Sequence, residues 1–306
     1  MTGDVDSTLD DAAAVFDTAR RRLFGIAYRM LGSTAEAEDV VQETWVRWQT
    51  TDRSVVVNPQ AFLTTTATRL AINVLQSARS RRETYVGPWL PEPVDTSADP
   101  TLGAERAEAL DVALLMLLER LTPTERAAYV LREAFDYAYP DIARIVGVSP
   151  TATRQLVSRA RKHLVAEPRN TVSGPERRAL LDAFLAAARV GDVERLEQLL
   201  AENVVSRADS NGTAKHVARV AVMGRHKVAR VLSSFADIFW AGITTRPIVV
   251  NGEEGMAMER DGELIGVLTV VASGDGLHEL NWQLNPDKVA PFRRGLEARA
   301  TPEGSD

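Results

Sequence analysis

The apolar residues of this chain follow one spacing before residue 167 and another after residue 176. Up to residue 167 they recur every three or four residues, the mark of a helix face. Val15, Leu23, Ile26, Met30 and Leu31 form one stripe, Val40, Val41, Thr44, Trp45 and Trp48 a second, and Phe62, Leu63, Ala67, Leu70, Ala71 and Leu75 a third. Beyond residue 176 the helical stretches Leu180–Ala188 and Val193–Leu200 come first, and a later helix carries Val228, Leu232, Phe235 and Phe239. Four short β-type runs follow: Thr244–Val250, Gly255–Glu259, Leu264–Val271 and Leu277–Leu284. Asn251-Gly252, Asp261-Gly262 and the Gly274–Gly276 stretch separate them as hairpin turns do. The pattern predicts all-α domains followed by an α+β domain whose sheet, built from sequential hairpins, is antiparallel.

The helical region has its own stops and starts. Gly32-Ser33 ends the first helix, and Ser33 or Thr34 caps the second, with Glu36 and Glu38 in its first turn. Asn58-Pro59 opens the third. Gly87-Pro88-Trp89-Leu90-Pro91-Glu92-Pro93 cannot continue a helix and reads as an extended linker. Trp89 and Leu90 are apolar groups that a free spacer does not need, so this linker is expected to dock on a surface. Leu121-Thr122-Pro123-Thr124-Glu125 is a stop and a restart, with Thr122 and Glu125 spaced as a capping box. A second short linker lies around Glu167–Pro175.

A chain of 306 residues exceeds what one core normally serves. It has no cysteine, which excludes disulfides, zinc–thiolate sites and thiol nucleophiles. With four histidines, neither a metal nor a cofactor is expected. Met1–Asp17 holds five aspartates and no basic residue, unlike a signal peptide, and no apolar run is long enough to span a membrane. A cytoplasmic protein without membrane partners is the expectation. The net charge of −6 argues against a simple nucleic-acid binder, but the charges are segregated. Pro59–Arg82 holds four arginines and no acid; Glu36–Glu43 holds four acids and no base.

Tyr139–Leu164 carries the strongest local signal. Ile142, Ala143, Ile145 and Val146 make a short apolar helix, Gly147 a turn, and Ser149-Pro150 a capped start. Leu156, Val157, Ala160 and Leu164 then face inward, leaving Arg154, Gln155, Ser158, Arg159, Arg161 and Lys162 outward. This is a helix-turn-helix with a basic second helix, able to read duplex DNA: arginine pairs with guanine or phosphate, glutamine with adenine.

The run Ser149–Leu156 with Ser158-Arg159-Ala160-Arg161 resembles region four of bacterial RNA polymerase sigma factors of the extracytoplasmic-function type. Ala37–Trp45, Pro59-Gln60-Ala61-Phe62-Leu63 and Arg69-Leu70-Ala71-Ile72-Asn73 resemble region two of the same family. The resemblance implies region two over residues 9–86, a linker over 87–104 and region four over 105–168. It implies a sigma factor whose partners are core RNA polymerase and promoter DNA. Glu38, Asp39, Glu43 and Trp45 would meet the polymerase, although Trp45 could equally pack between helices. Arg69, Arg79, Arg81 and Arg82 would contact phosphates, and Asn73 either a base edge or a neighbouring helix. Arg154, Gln155, Ser158, Arg159, Arg161 and Lys162 would face the upstream promoter element.

Trp89–Pro93 resembles a linker motif of one subgroup, whose C-terminal extension is similar to SnoaL-like proteins, a cone-shaped α+β fold. Residues 175–296 are expected to adopt it, with Asp209–Lys215 and Asn285-Pro286-Asp287-Lys288 as its polar motifs. Only Gly212 remains of the glycine run usual in the first, and Val289 stands where leucine is usual after the second. The resemblance implies regulation in cis, with Trp89, Leu90, Asp209, Asn285, Asp287 and Lys288 as contacts. The rival reading is an isomerase or cyclase, or a ligand-sensing domain fused to a DNA-binding regulator. Asp209, His216 and His278 are the candidate bases, and Trp240 and Trp282 core or pocket wall. Without triad spacing or a metal-ligand cluster, no catalytic residue is expected, while a small ligand of unknown kind remains open.

Overall fold

The computed structural model describes residues 3–82, 85–96, 112–164, 172–214 and 217–300, with side chains described in 10–77, 85–96, 112–164, 172–214 and 217–297. These residues fall into two compact units: the first 83 residues with 114–166, and 84–113 with 167–306.

The first unit is helical. α1 (Gly3–Leu31), α2 (Thr34–Thr50) and α3 (Pro59–Arg82) pack around Leu23, Ile26, Met30, Val41, Trp48 and Leu63. Ser33 caps α2 by accepting from the Glu36 amide. The Trp48 indole is buried and donates to the Ala12 carbonyl at 3.0 Å. α4 (Val112–Leu118), α5 (Pro123–Glu133), α6 (Tyr139–Val146) and α7 (Pro150–Leu164) follow, with Thr122 and Glu125 forming the capping box of α5.

The two helical groups of this unit are docked on each other, which no local sequence pattern indicates. Arg126 on α5, 3% exposed, donates to the Met30 carbonyl at 2.5 Å and to Glu119 at 2.6 Å. Burial lowers its pKa to about 9, so it stays a cation at neutral pH. Thr64 and the Tyr137 hydroxyl lie 3.0 Å apart, and Arg22 caps the Phe135 carbonyl while lying over the Tyr137 ring.

The second unit is α+β. α8 (Gly174–Val190) and α9 (Val193–Leu199) lead into β1 (Leu200–Asp209) and β2 (Val222–Met223). α10 (Arg225–Ser234), α11 (Ala236–Phe239), β3 (Ile243–Val250), β4 (Glu253–Arg260), β5 (Glu263–Ser273), β6 (Gly276–Gln283) and α12 (Pro286–Ala300) complete it. The sheet order is β2-β1-β6-β5-β4-β3. The β3–β6 hairpins are antiparallel as expected, and the turn residues Asn251, Gly252, Asp261 and Gly262 all have positive φ.

The sheet is mixed, not antiparallel throughout, because β1 pairs with β6 in parallel. The expectation fails there for two reasons. β1 buries residues on both faces, so it lacks the alternation of a half-buried strand. Its partner is also some seventy residues away, beyond any local signal. Gly276 starts β6 against the α9–β1 junction, where a Cβ would lie 2.6 Å from the Leu199 carbonyl oxygen. One sheet face packs on α8, α9 and α10 through Phe184, Leu196, Val228 and Trp282; the other receives Val289 and Phe292 of α12.

Candidate functional site

The helix-turn-helix is built by local chemistry. α6 ends at Gly147 in the left-handed region (φ 75°), and the amides of Gly147 and Val148 both reach the Ala143 carbonyl. Ser149 then accepts from the Ala152 amide and starts α7. Arg154, Gln155, Ser158, Arg159, Arg161 and Lys162 are all exposed along α7. Arg154 lies over the Tyr139 ring at 5.5 Å. Arg159 pairs with Glu125 at 3.2 Å and Arg161 with Glu133 at 2.8 Å, a bond that raises the Arg161 pKa. The basic face of α7 is thus partly aimed by acids of α5.

On α2, Asp39 and Glu43 are exposed, Glu43 being paired with Arg47 one turn on. Glu38 is half-buried and pairs with Arg20 at 2.9 Å. Trp45 packs its ring 4.9 Å from Phe16 and is half-buried. Asn73 on α3 is exposed, while the side chains of Arg79, Arg81 and Arg82 lie outside the described residues. Arg69, expected to contact phosphate, is exposed and has partners within the protein. Its guanidinium donates to the Ile145 carbonyl at 3.0 Å and the Arg144 carbonyl at 3.1 Å, at the carbonyl-rich end of α6.

In the second unit, linker residues 85–96 lie on the α+β domain. Asp209 is fully buried at the end of β1. One oxygen accepts from the Tyr85 hydroxyl at 2.5 Å; the other accepts from the Leu90 amide at 2.8 Å and Lys288 Nζ at 2.7 Å. Lys288 also donates to the Leu90 carbonyl at 2.6 Å and sits 4.3 Å from the centre of the Trp89 ring. Asn285 donates to the Tyr85 oxygen at 2.8 Å, and Gln283 to the Pro91 carbonyl at 3.0 Å. Further along, Val94 exchanges bonds with Asn251, and Thr96 accepts from the Gly252 amide. Burial, then the bond to the Asp209 carboxylate, pushes the Tyr85 phenol well above its ordinary pKa.

Trp89, Leu90, Asp209, Asn285 and Lys288 therefore come together. Asp287 lies beside them without a hydrogen bond to the linker among the described residues: it is exposed in the first turn of α12, its amide bonds to Asn285 Oδ1, and its charge adds to the rise of the Tyr85 pKa. The carboxylate of the clamp is Asp209 instead. Tyr85, Gln283, Asn251 and Thr96 are clamp residues that sequence reasoning misses.

Residues 15–81 match the family described as Sigma-70 region 2, and residues 111–164 the one described as Sigma-70, region 4. The chain is 37% identical over 306 residues to the ECF RNA polymerase sigma factor SigJ of Mycobacterium tuberculosis, covering 94% of this chain and 96% of SigJ. The chain belongs to the extracytoplasmic-function sigma factors. This sigma factor is also 27% identical over 292 residues to the probable ECF RNA polymerase sigma factor SigI of the same species, covering 94% of it and 98% of SigI. The crystal structure of SigJ matches it with a TM-score of 0.71 at 34% identity, over 91% of this chain and 98% of the SigJ chain. Among the described residues no helix of the sigma factor is long and apolar enough to cross a membrane.

The candidate bases of the sigma factor's α+β domain have other surroundings. Asp209 is committed to Lys288 and the linker. His216 lies outside the described residues. His278 Nε2 is 2.7 Å from both Ser273 Oγ and Asp275 Oδ1 at the β5–β6 hairpin. A relay needs one ring nitrogen for the nucleophile and the other for the acid. Here one nitrogen serves both, which is the hydrogen bonding of a turn.

Proposed function

We propose that this sigma factor, which brings core RNA polymerase to specific promoters and starts transcription there, is governed in cis by its own C-terminal domain. The observation that carries the reading is the clamp on the linker. Tyr85, Leu90, Pro91, Val94 and Thr96, spread over twelve residues, each bond to side chains or backbone of that domain. A linker held this way is not a free spacer between the two sigma regions. Those regions are meanwhile packed on each other through Arg69, Thr64, Arg22 and Arg126. Two promoter elements set apart along a duplex cannot both be met by two regions in contact. Clamp and polymerase–promoter binding therefore compete, as a population shift between a closed and an extended chain. In the extended chain, Asp39, Glu43 and the half-buried Trp45 meet the polymerase, and α7 enters the major groove.

The C-terminal domain acts in this reading by binding and not by turnover, since Asp209 is part of the clamp and His278 part of a turn. The test is run-off transcription with purified core polymerase, using the full chain, Trp89→Ala and a chain ending at residue 284. A clamp coupled by about 1–3 kcal/mol changes output by roughly 5- to 150-fold, upward when it is loosened. Solution scattering reports the spacing of the regions in the same samples. Output and spacing unchanged in both altered chains would make the C-terminal domain a passenger. Conversion of a ketone or lactone that is lost in Asp209→Ala would make it an enzyme.

A further inference from the structure

Between Asp209 and Asp237 the chain carries five lysines and arginines, two histidines and no acid, in a protein with an overall excess of acids. Much of this run lies at one edge of the α+β domain. β2 is an edge strand of the sheet, and α10 packs beside it. Arg219 and Val220 lead into β2, Met223 ends it, and Lys227 and Arg230 lie three apart on α10; all five are exposed. The side chains of Arg219, Lys227 and Arg230 have no acid or hydrogen-bond partner among the described residues. Elsewhere in the domain Arg246 faces Glu259 and Arg293 faces Glu263. His226 is paired with Glu197 at 2.8 Å and stands at the margin of the group.

Solvated surfaces ordinarily mix both signs of charge. This edge does not. α10 also places Arg225, His226 and Lys227 in its first turn, where the helix end disfavours cations and neither an acid nor a side-chain cap offsets them. A surface of one sign with unneutralised cations suits a polyanion. We propose that this edge of the C-terminal domain is a further DNA-contact surface, which holds the phosphate backbone of the duplex beside the element bound by α7.

Chain connectivity favours duplex DNA over an acidic protein as the occupant. Leu164 ends α7 and Gly174 starts α8, so a short tether joins the domain to the helix-turn-helix. A stretch of about ten residues reaches at most about 35 Å, roughly one turn of duplex. Once α7 is seated, flanking phosphates are presented to the domain at high local concentration, so a few ordinary phosphate contacts suffice. Such a contact carries no sequence preference; it adds affinity and salt dependence. Arg219, Lys227 and Arg230 are exposed in the chain whose linker is clamped, so the surface does not rest on the cis-control reading.

The test uses the full chain and a duplex of about 40 base pairs, long enough for α7 and a flanking turn. Fluorescence anisotropy measures binding over a range of salt. Combining Arg219→Gln, Lys227→Gln and Arg230→Gln should weaken binding about tenfold at low salt. The slope of log affinity against log salt should become shallower by about two to three, near 0.9 for each phosphate lost. Arg246→Gln with Arg293→Gln, which removes two acid-paired cations, should change that slope by less than about one. The lack of cysteine allows a direct probe as well. A photo-crosslinker on Met223→Cys should join to the duplex, while one on Val249→Cys, at the opposite edge strand, should not. Crosslinking is read on a chain that keeps all its cations, so it stands even where the triple variant folds poorly. Parent affinity and slope in the triple variant, no duplex binding by the parent chain at low salt, or equal crosslinking from both cysteines overturns the surface. Loss of co-elution with core polymerase in the triple variant, with duplex binding unchanged, assigns the edge to a protein partner and overturns DNA as its occupant.

Discussion

Asp209 and Lys288 form an ion pair at 2.7 Å in which neither side chain is more than 9% exposed, and Leu90 of the linker bonds to both halves. The Leu90 amide donates to the carboxylate, and its carbonyl accepts from the ammonium. One residue's backbone thus satisfies two opposite buried charges. Without it each would lose one hydrogen bond at a site nearly closed to solvent, so docking of the linker is part of what makes the pair tolerable.

Removing one partner should therefore cost more than removing both. Lys288→Met leaves the Asp209 carboxylate buried without its counter-ion, for a loss of about 3–5 kcal/mol of stability. Combining it with Asp209→Leu should recover much of that loss while leaving the linker less firmly held. Urea denaturation of the four chains of this double-mutant cycle gives the coupling, and additive losses would contradict it.

Tyr85 gives the clamp a dependence on alkaline pH. Its phenol is raised in the folded protein, first by burial and then by the Asp209 carboxylate. A raised pKa means the folded state favours the protonated phenol. That contribution is whole below the unfolded value of about 10 and declines as pH rises above it. Stability of the full chain should fall more steeply above pH 10 than that of Tyr85→Phe. Absorbance titration of the full chain should show one late-ionising tyrosine more than that of Tyr85→Phe, and the lack of such a difference would count against the hydrogen bond to Asp209.

Arg69 separates two roles by experiment. Its two bonds to the end of α6 predict that Arg69→Ala loosens the contact between the sigma regions by about 1–3 kcal/mol. Amides of α6 and the Tyr137 region should then exchange faster. Duplex binding through α7 should stay the same, because α7 keeps its own acid partners. Weakened duplex binding with unchanged exchange would return Arg69 to the phosphate-contact role.

The legible regions of the molecule are those whose cause is local. The capping box at Thr122, the turn at Gly147 and the outward basic face of α7 each depend on residues within one or two turns. Asn251 is legible as a hairpin residue, but its side chain also bonds to Val94, a contact across 157 residues that no spacing encodes. Tyr85 follows a basic helix and carries no turn or cap signal, so its place beside Asp209 follows only from the fold. Asp287 misleads because its polar motif reads as a unit, whereas only the side chains of Asn285 and Lys288 bond to the linker. The resemblance leads to Trp89 and Lys288; physics explains why they meet, as a cation over an indole face beside its counter-ion.

The acidic face of α2 makes a prediction of interaction without structural damage. Asp39 and Glu43 are exposed, and exposed charges contribute little to stability. Reversing both to lysine should weaken co-elution with core polymerase while leaving the thermal midpoint near that of the parent chain. Co-elution at the parent level would remove this face from the polymerase contact.

The basic face of α7 should divide into reading and anchoring residues. Arg154 and Gln155 stand one turn into the helix, past its capped N-terminus, the end that reaches base edges when a recognition helix enters the groove. Arg161 and Lys162 lie in its last turn, where a cation meets backbone phosphate more readily. Gln155→Ala or Arg154→Ala should cost about 1–3 kcal/mol at one base pair and relax preference there alone. Lys162→Ala should weaken all sequences alike and lower the salt slope by about one. Arg159 is the informative intermediate, because its bond to Glu125 already fixes its direction. Titrations over a promoter element substituted at each position, at two salt concentrations, separate the classes. If Gln155→Ala and Lys162→Ala give the same sequence-independent loss, α7 anchors the duplex without reading it, and the base-reading assignment fails.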